Sequence, residues 1–216
     1  MSLILMQERR IAENRPVLPN IDEEFQILVQ QTANPSCIMI QPLEYVNVIH
    51  NLEKEMCDVY NNLKSGLDSN IQEGSLCAVR HKTCWYRAHV DKVLDSESVS
   101  VKLLDYGSVS LVSSTDIKPL KESFTKVPFV GFCCKISGIA AKHGDWNVED
   151  CLQTRVLIDH KKLFAQIKGI HLNQSSIGGI ILELQLFDLN SMTGNKVDIG
   201  EVLIQNGCAI REKQKI

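Results

Sequence analysis

The chain has 216 residues, a formal net charge of −3 and a hydrophobic fraction of 44%. A chain of this length buries roughly 70% of its unfolded surface, so its stability does not require metal or disulfide cross-links. No apolar run approaches the ~20 residues of a membrane span, and no block of lysine and arginine marks a general phosphate-binding face.

The eight cysteines are spread evenly along the chain, and none belongs to a Cys-x-x-Cys pair. No histidine pair lies at zinc-finger spacing either, so the sequence predicts no metal site and no other cofactor. The expected arrangement is a set of reduced, mostly buried cysteines in an intracellular protein.

The first part of the chain alternates between strand and helix patterns. Residues 1–20 are expected to form a leader or a loosely attached segment. Two short strand candidates follow, Phe25–Val29 and Cys37–Ile40, with an Asn-Pro-Ser turn between them. From Glu44 to Lys64 apolar residues recur at helical spacing, and Ser65-Gly66 provides a stop.

Residues from about Gly74 to Pro119 predict a region made only of strands. Polar turns separate four short candidates, and a fifth strand starts at Thr115. The four candidates are Leu76–Val79, Trp85–Leu94, Val99–Leu104 and Ser108–Val112. Several short strands at this spacing are typical of a small barrel, which closes on itself and so removes exposed sheet edges.

After Pro128 the pattern predicts mixed structure again. The expected strands are Gly131–Ile136, Leu163–Ile170 and Ile180–Asp188, and the expected helices are Asp150–Ile158 and Ile199–Asn206. Neither flank alone has enough strands for a closed core, so we expect both flanks to fold together with the barrel inserted between them. The predicted fold class is α+β with mostly β structure.

Two motifs inside the predicted barrel are specific. Trp85-Tyr86-Arg87-Ala88 precedes Leu103-Leu104-Asp105-Tyr106-Gly107-Ser108, and the pair resembles the Trp-Tyr-Arg-Ala and aromatic-x-Asp-Tyr-Gly-Asn motifs of the Tudor family. The surroundings resemble an extended Tudor domain, in which a Tudor barrel interrupts a staphylococcal-nuclease-like OB fold. The resemblance implies OB parts at residues 21–43 and 123–216, a linker helix at 44–66 and a Tudor barrel at 72–122.

The resemblance also implies a function. Family members bind arginine-rich peptides, often with symmetrically dimethylated arginine, from the N-termini of Piwi-type proteins in germ cells. We therefore expect a non-enzymatic scaffold module of the piRNA pathway, located in the cytoplasm in perinuclear germ granules (nuage), without membrane association. The physical basis is that a guanidinium is planar and weakly hydrated, so aromatic faces attract it and stack on it.

Carried over residue by residue, the aromatic cage of the family is incomplete. Its positions fall on Tyr86, Tyr106, Leu103 (third wall), Ser108 (the asparagine) and, for the first wall, Arg80 or His81. Each aromatic wall contributes about 0.5–2 kcal/mol to the binding of a cation, so two missing walls remove roughly 1–4 kcal/mol, about tenfold to several hundredfold in affinity. We therefore predict a degraded cage that does not strictly depend on arginine dimethylation.

The residues around the cage positions are expected to have structural roles. Trp85 is expected to pack rather than to touch a ligand, and Leu103 has an equally plain interpretation as core. Asp105 and Gly107 are expected to make the turn, with a positive φ at the glycine and a local hydrogen bond from the aspartate.

Three other functions are considered. The OB-like part can bind single-stranded RNA by stacking bases over a positive groove, although aromatic residues at 6% and the missing basic cluster count against this. The module can also be a structural copy within a longer scaffold that binds neither ligand. Nuclease chemistry needs an acidic pair for calcium and two arginines on a phosphate. After Arg87 only Arg155 and Arg211 remain, so no enzyme activity is predicted.

Overall fold

The computed structural model describes residues 11, 13–63, 71–173, 179–189 and 194–212. Most of the predicted leader and the predicted end of the long helix, including Ser65-Gly66, lie outside these residues. The chain divides into two units. The first is built on Glu44–Gly131 and the described residues before Val17, whereas the second contains Val17–Leu43 and, apart from Gly179, the described residues after Gly131.

The strands of the described residues, in chain order, are β1 (Glu24–Asn34), β2 (Cys37–Pro42), β3 (Leu76–His81), β4 (Cys84–Val93), β5 (Ser98–Leu103), β6 (Val109–Ser113), β7 (Ile117–Pro119), β8 (Phe132–Ile136), β9 (Ile139–Ala140), β10 (Lys162–Leu172), β11 (Ile180–Leu189), β12 (Lys196–Asp198) and β13 (Ile210–Arg211). The α-helices are α1 (Leu43–Asn61), α2 (Val148–Ile158) and α3 (Ile199–Gln205). The predicted α+β fold class, with mostly β structure, is confirmed.

Helix α1 and a five-stranded antiparallel sheet make up most of the first unit. The helix buries one face at amphipathic spacing, formed by Ile49, Leu52, Met56 and Tyr60. The strand order in the sheet is β6-β5-β4-β3-β7, and these five strands match the predicted ones to within two residues. Alternate residues of the strands, such as Val79, Val90 and Val101, fill a common core.

Five strands of the second unit close into a barrel. Each strand pairs with the next in the order β1-β2-β8-β11-β10, and β10 pairs again with β1. The pairing of β8 with β11 is parallel, and the others in this ring are antiparallel. Closure leaves no free edge within the ring, and an OB fold is a five-stranded barrel of this kind.

Three strands of the second unit were not predicted, and a fourth was predicted too short. The missed strands β9, β12 and β13 have only two or three residues. Strand β1 continues to Asn34, five residues beyond its predicted end, because a bulge after Val29 shifts the pairing with β2. A bulge interrupts the alternation of side chains on which strand prediction depends.

The described end of the N-terminal segment is firmly held by the first unit. Asn14 Nδ2 donates to the carbonyl oxygen of Thr125 at 2.6 Å, and Arg15 Nη1 donates to the carbonyl oxygens of Phe129 and Gly131. Burial lowers the pKa of the Arg15 guanidinium to about 10. The expectation of a loosely attached segment is therefore wrong for Asn14 and Arg15, because both side chains donate hydrogen bonds to backbone carbonyl groups of the first unit.

All eight cysteines are free, but only Cys77, Cys134 and Cys208 are buried. The expectation of mostly buried cysteines is therefore wrong in number, while the expectation of reduced thiols agrees with the geometry. In the part of the chain that the structure describes, no group of three or more His, Cys, Asp or Glu side chains is arranged to hold a metal ion. None of the helices described is both long and apolar enough to cross a membrane.

Candidate functional site

A buried ion pair fixes the two chain segments that carry the predicted site. Arg87 on β4 is 1% exposed, and its Nε and Nη2 donate to the two carboxylate oxygens of Asp105 at 2.9 and 2.6 Å. Its other N–H groups donate to the carbonyl oxygens of Phe124, Val127 and Pro128. All five guanidinium donors are thus used, and removing either charge would leave the other buried without its partner.

This pair also determines the backbone at both cage tyrosines, since Tyr86 directly precedes Arg87 and Tyr106 directly follows Asp105. The Asp105 carboxylate binds Arg87 and also accepts the Val130 N–H at 3.1 Å, while the local hydrogen bond expected of Asp105 stays a prediction. The expected turn at Gly107 is confirmed, with φ of 75° and its N–H donated to the Leu103 carbonyl oxygen.

Tyr86 and Tyr106 lie side by side at right angles. Their ring centroids are 5.6 Å apart and the ring planes meet at 88°. Both side chains are half-buried and pack against the core of the five-stranded sheet. The imidazole of His81 lies at the edge of Tyr86, with ring centroids 6.5 Å apart. Two perpendicular aromatic faces therefore form a corner, which we call the tyrosine corner (Tyr86 and Tyr106).

Helix α1 contributes a carboxylate to this corner. The Tyr106 hydroxyl donates to Glu53 Oε1 at 2.5 Å. Burial raises the pKa of the Glu53 carboxyl above its ordinary value, against the opposing effect of the Tyr106 hydrogen bond. Burial also raises the pKa of Tyr86 to about 12, and burial together with the Glu53 contact raises the pKa of Tyr106. Both phenols are thus neutral at physiological pH.

Two further cage positions have less accessible or smaller side chains. Leu103 is 4% exposed and belongs to the core of the sheet, which confirms the interpretation of Leu103 as a core residue. Ser108 is half-buried and follows the Gly107 turn, where its carbonyl oxygen accepts the Leu103 N–H at 2.9 Å. Neither position provides an aromatic wall.

Arg80 does not join the tyrosine corner, so its assignment as a cage position is corrected. Val79 pairs directly with Tyr86 across β3 and β4, and alternation along a strand places Arg80 on the opposite face of the sheet. There the Arg80 Nε and Nη2 both donate to Asp116 Oδ1, at 2.8 and 2.5 Å. The alternative for this wall, His81, is the residue of β3 whose ring lies beside Tyr86.

Comparison with known proteins identifies the family. The Tudor domain family model matches residues 19–138, more than half of the chain. The chain belongs to the Tudor domain family. Tudor domains of this kind are non-enzymatic peptide-binding modules. A curated relative is Tudor domain-containing protein 7B of Danio rerio, 29% identical over 153 residues, which are 71% of this chain and 14% of the relative. The chain thus spans about one seventh of that relative's length.

Solved structures show that the fold is that of an extended Tudor domain. The human TDRD1 extended Tudor domain, in complex with a symmetrically dimethylated peptide, aligns with a TM-score of 0.82 at 21% identity and covers 95% of this chain and 98% of that one. The Drosophila melanogaster Papi extended Tudor domain has been solved with a Piwi N-terminal peptide in dimethylated and unmethylated forms. The unmethylated complex aligns with a TM-score of 0.76 at 19% identity, covering 88% of this chain and 100% of that one.

Sequence reasoning missed two residues of this Tudor domain that matter to the site. Glu53 is one charged residue on a helix that was expected only to pack, and it meets Tyr106 across 53 positions of the chain. Arg87 belongs to a recognised motif, yet nothing adjacent in the sequence indicates a buried ion pair. The packing role expected for Trp85 is confirmed, since it is 3% exposed and stacks on Tyr60 with ring centroids 5.0 Å apart.

Proposed function

We propose that this Tudor domain binds arginine-rich N-terminal segments of Piwi-family or similar ribonucleoprotein proteins, without strict dependence on arginine dimethylation. The observation that carries the proposal is the tyrosine corner, in which two neutral aromatic rings stand 5.6 Å apart at right angles. A guanidinium stacks on one such face and directs its N–H edge past the other. The peptide complexes of similar extended Tudor domains support a peptide ligand.

Independence from dimethylation is proposed because the corner has few apolar walls. Methyl groups on a guanidinium add apolar surface that gains free energy only where side chains cover it. Leu103 is buried in the core, and a serine at position 108 stands where the family motif has asparagine. The structure of Papi with an unmethylated Piwi peptide supports the idea that this fold accommodates unmodified arginine. The proposed location of such a module is the cytoplasm, in perinuclear germ granules.

The test is a calorimetric titration of the chain with two arginine-glycine peptides that differ only in symmetrical dimethylation of one arginine. We expect the two dissociation constants to lie within about a factor of ten of each other. The two binding free energies then differ by less than ~1.4 kcal/mol. A larger preference for the dimethylated peptide would contradict the proposed independence. If neither peptide binds to the folded chain, the proposed function itself is overturned.

Variants of one tyrosine connect the binding to the corner. Replacing Tyr86 with alanine removes one face, and we expect the affinity for the unmodified peptide to fall about tenfold. Tyr86→Phe keeps the face and is the matched control, with an expected change below about twofold. Equal losses in both variants would contradict stacking on this ring.

If single-stranded RNA binds instead, with affinity that falls steeply with salt, the RNA alternative is favoured.

A further inference from the structure

The Glu53 carboxylate beside the tyrosine corner is only partly used within the protein. Its Oε1 accepts the Tyr106 hydroxyl at 2.5 Å, and the side chain is half-buried. Among the residues described, no second hydrogen-bond donor and no ion-pair partner meets this carboxylate within contact distance. Several described polar atoms are completely buried and lack a hydrogen-bond partner, and the Glu53 Oε2 is not one of them. This oxygen is therefore not completely buried.

The charged and titratable groups around Glu53 do not neutralise it. Tyr106 and Tyr86 are neutral phenols, and Asp105 carries a like charge that raises the pKa of Glu53 further. Among the described residues, Arg87 is the cation that lowers the pKa of Glu53, but its N–H groups are taken by Asp105 and by backbone carbonyls. A partly desolvated carboxylate without its own cation is costly, and an external cation with N–H donors would relieve that cost.

We propose that Glu53 is the anionic anchor of the peptide site: Oε2 accepts an N–H of the arginine guanidinium whose flat face stacks on the tyrosine corner. This inference rests on the proposed function and makes its ligand more specific. Symmetrical dimethylation replaces one N–H on each terminal nitrogen of the guanidinium and widens the group. The site therefore prefers arginine that keeps both terminal N–H pairs over the dimethylated form.

The variant that tests the anchor is Glu53→Gln. It keeps the shape of the side chain and an oxygen that accepts from Tyr106, but it removes the negative charge. The matched control is Glu55→Gln, which makes the same charge change at an exposed position of the same helix. Affinities are measured by fluorescence anisotropy with a labelled arginine-glycine peptide and its symmetrically dimethylated counterpart, after circular dichroism has verified the folding of each variant.

We expect Glu53→Gln to weaken the unmodified peptide about tenfold and the dimethylated peptide about threefold or less, since charge-assisted hydrogen bonds are roughly twice as strong as neutral ones. Glu55→Gln should change both values by less than about twofold, because exposed charges are well screened. If Glu53→Gln binds the unmodified peptide as tightly as the wild type, the anchor is refuted while the proposed function stands. If the wild type binds neither peptide, both fall.

The pH dependence of peptide binding, compared between the wild type and Glu53→Gln, gives a second measurement. Protonation of Glu53 removes the anion, so the affinity for the arginine peptide should fall as the pH is lowered through the raised pKa of Glu53. Tyr106, which donates to Glu53, and the described groups coupled to it electrostatically, namely Tyr86, Asp105 and Arg87, are unchanged in Glu53→Gln, so the difference between the two profiles isolates this carboxyl. Identical profiles would contradict the anchor.

Discussion

The first unit contains two carboxylates that differ in how completely the protein satisfies them. Asp105 is 4% exposed, and its oxygens accept from Arg87 and from the Val130 N–H. Glu53 is half-buried, with the Tyr106 hydroxyl as its hydrogen-bond donor among the described residues. A fully paired buried charge holds the fold together. A partly paired charge beside two aromatic faces instead offers an oxygen to a ligand, at a small cost to stability.

The largest effect is expected when the complete pair is broken. Asp105→Asn keeps the shape of the side chain but leaves the Arg87 charge buried without its counterion, so the free energy of unfolding should fall by about 3–5 kcal/mol. Urea denaturation followed by circular dichroism measures this. A loss below about 1 kcal/mol would mean that the pair is not the structural centre of the unit.

Arg80 provides the contrast between a buried and an exposed ion pair. Its side chain is 53% exposed where it pairs with Asp116, so Arg80→Ala should change the free energy of unfolding by less than about 1 kcal/mol. Arg87→Ala, by comparison, should cost several times as much in the same denaturation experiment. Similar losses in the free energy of unfolding for the two variants would show that burial does not determine how much each ion pair stabilises the fold.

The smallest effect, with the opposite sign, is expected for Glu53→Gln. Because the folded-state pKa of Glu53 lies above its ordinary value, the folded chain holds this proton more tightly than the unfolded chain. The free energy of unfolding therefore falls as the pH rises through the window between the two pKa values. Glu53→Gln removes that loss, so it should be slightly more stable than the wild type at pH 7, by less than about 1 kcal/mol.

Thermal denaturation of both proteins between pH 4 and pH 7 checks this expectation, with Glu55→Gln as the control. The stability difference should vanish at the acid end, where Glu53 is protonated in the folded and the unfolded chain. A variant that is less stable than the wild type at pH 7 would mean that the Glu53 charge stabilises the fold rather than serving a ligand.

The sequence predicted those parts of the site that depend on local pattern. Strand alternation and the two motifs located Tyr86 and Tyr106, and the glycine of the turn is at the expected position with positive φ. The face of Arg80 depends on the register of the hairpin between β3 and β4, in which Lys82 adopts a left-handed conformation with φ of 58°. A lysine gives little indication of such a turn, because glycine and asparagine are the usual residues there.

Two features could not be predicted because they depend on contacts between distant parts of the chain. Tyr106 meets Glu53 across 53 positions, and Arg87 bonds to carbonyl groups about 40 positions away. Periodicity predicted that helix α1 would bury an apolar face, but it does not indicate which charged residue on the helix would meet the tyrosines. Such contacts follow from packing, which a single sequence does not display.

The most direct test of guanidinium binding at the tyrosine corner is an NMR titration that observes the ring signals of the tyrosines while an unmodified arginine-glycine peptide is added. We predict saturable shifts at Tyr86 and Tyr106, with Tyr45 unaffected, and no shifts when the peptide carries glutamine in place of its arginines. Binding that leaves the signals of both corner rings unchanged would contradict the claim that these two faces receive a guanidinium.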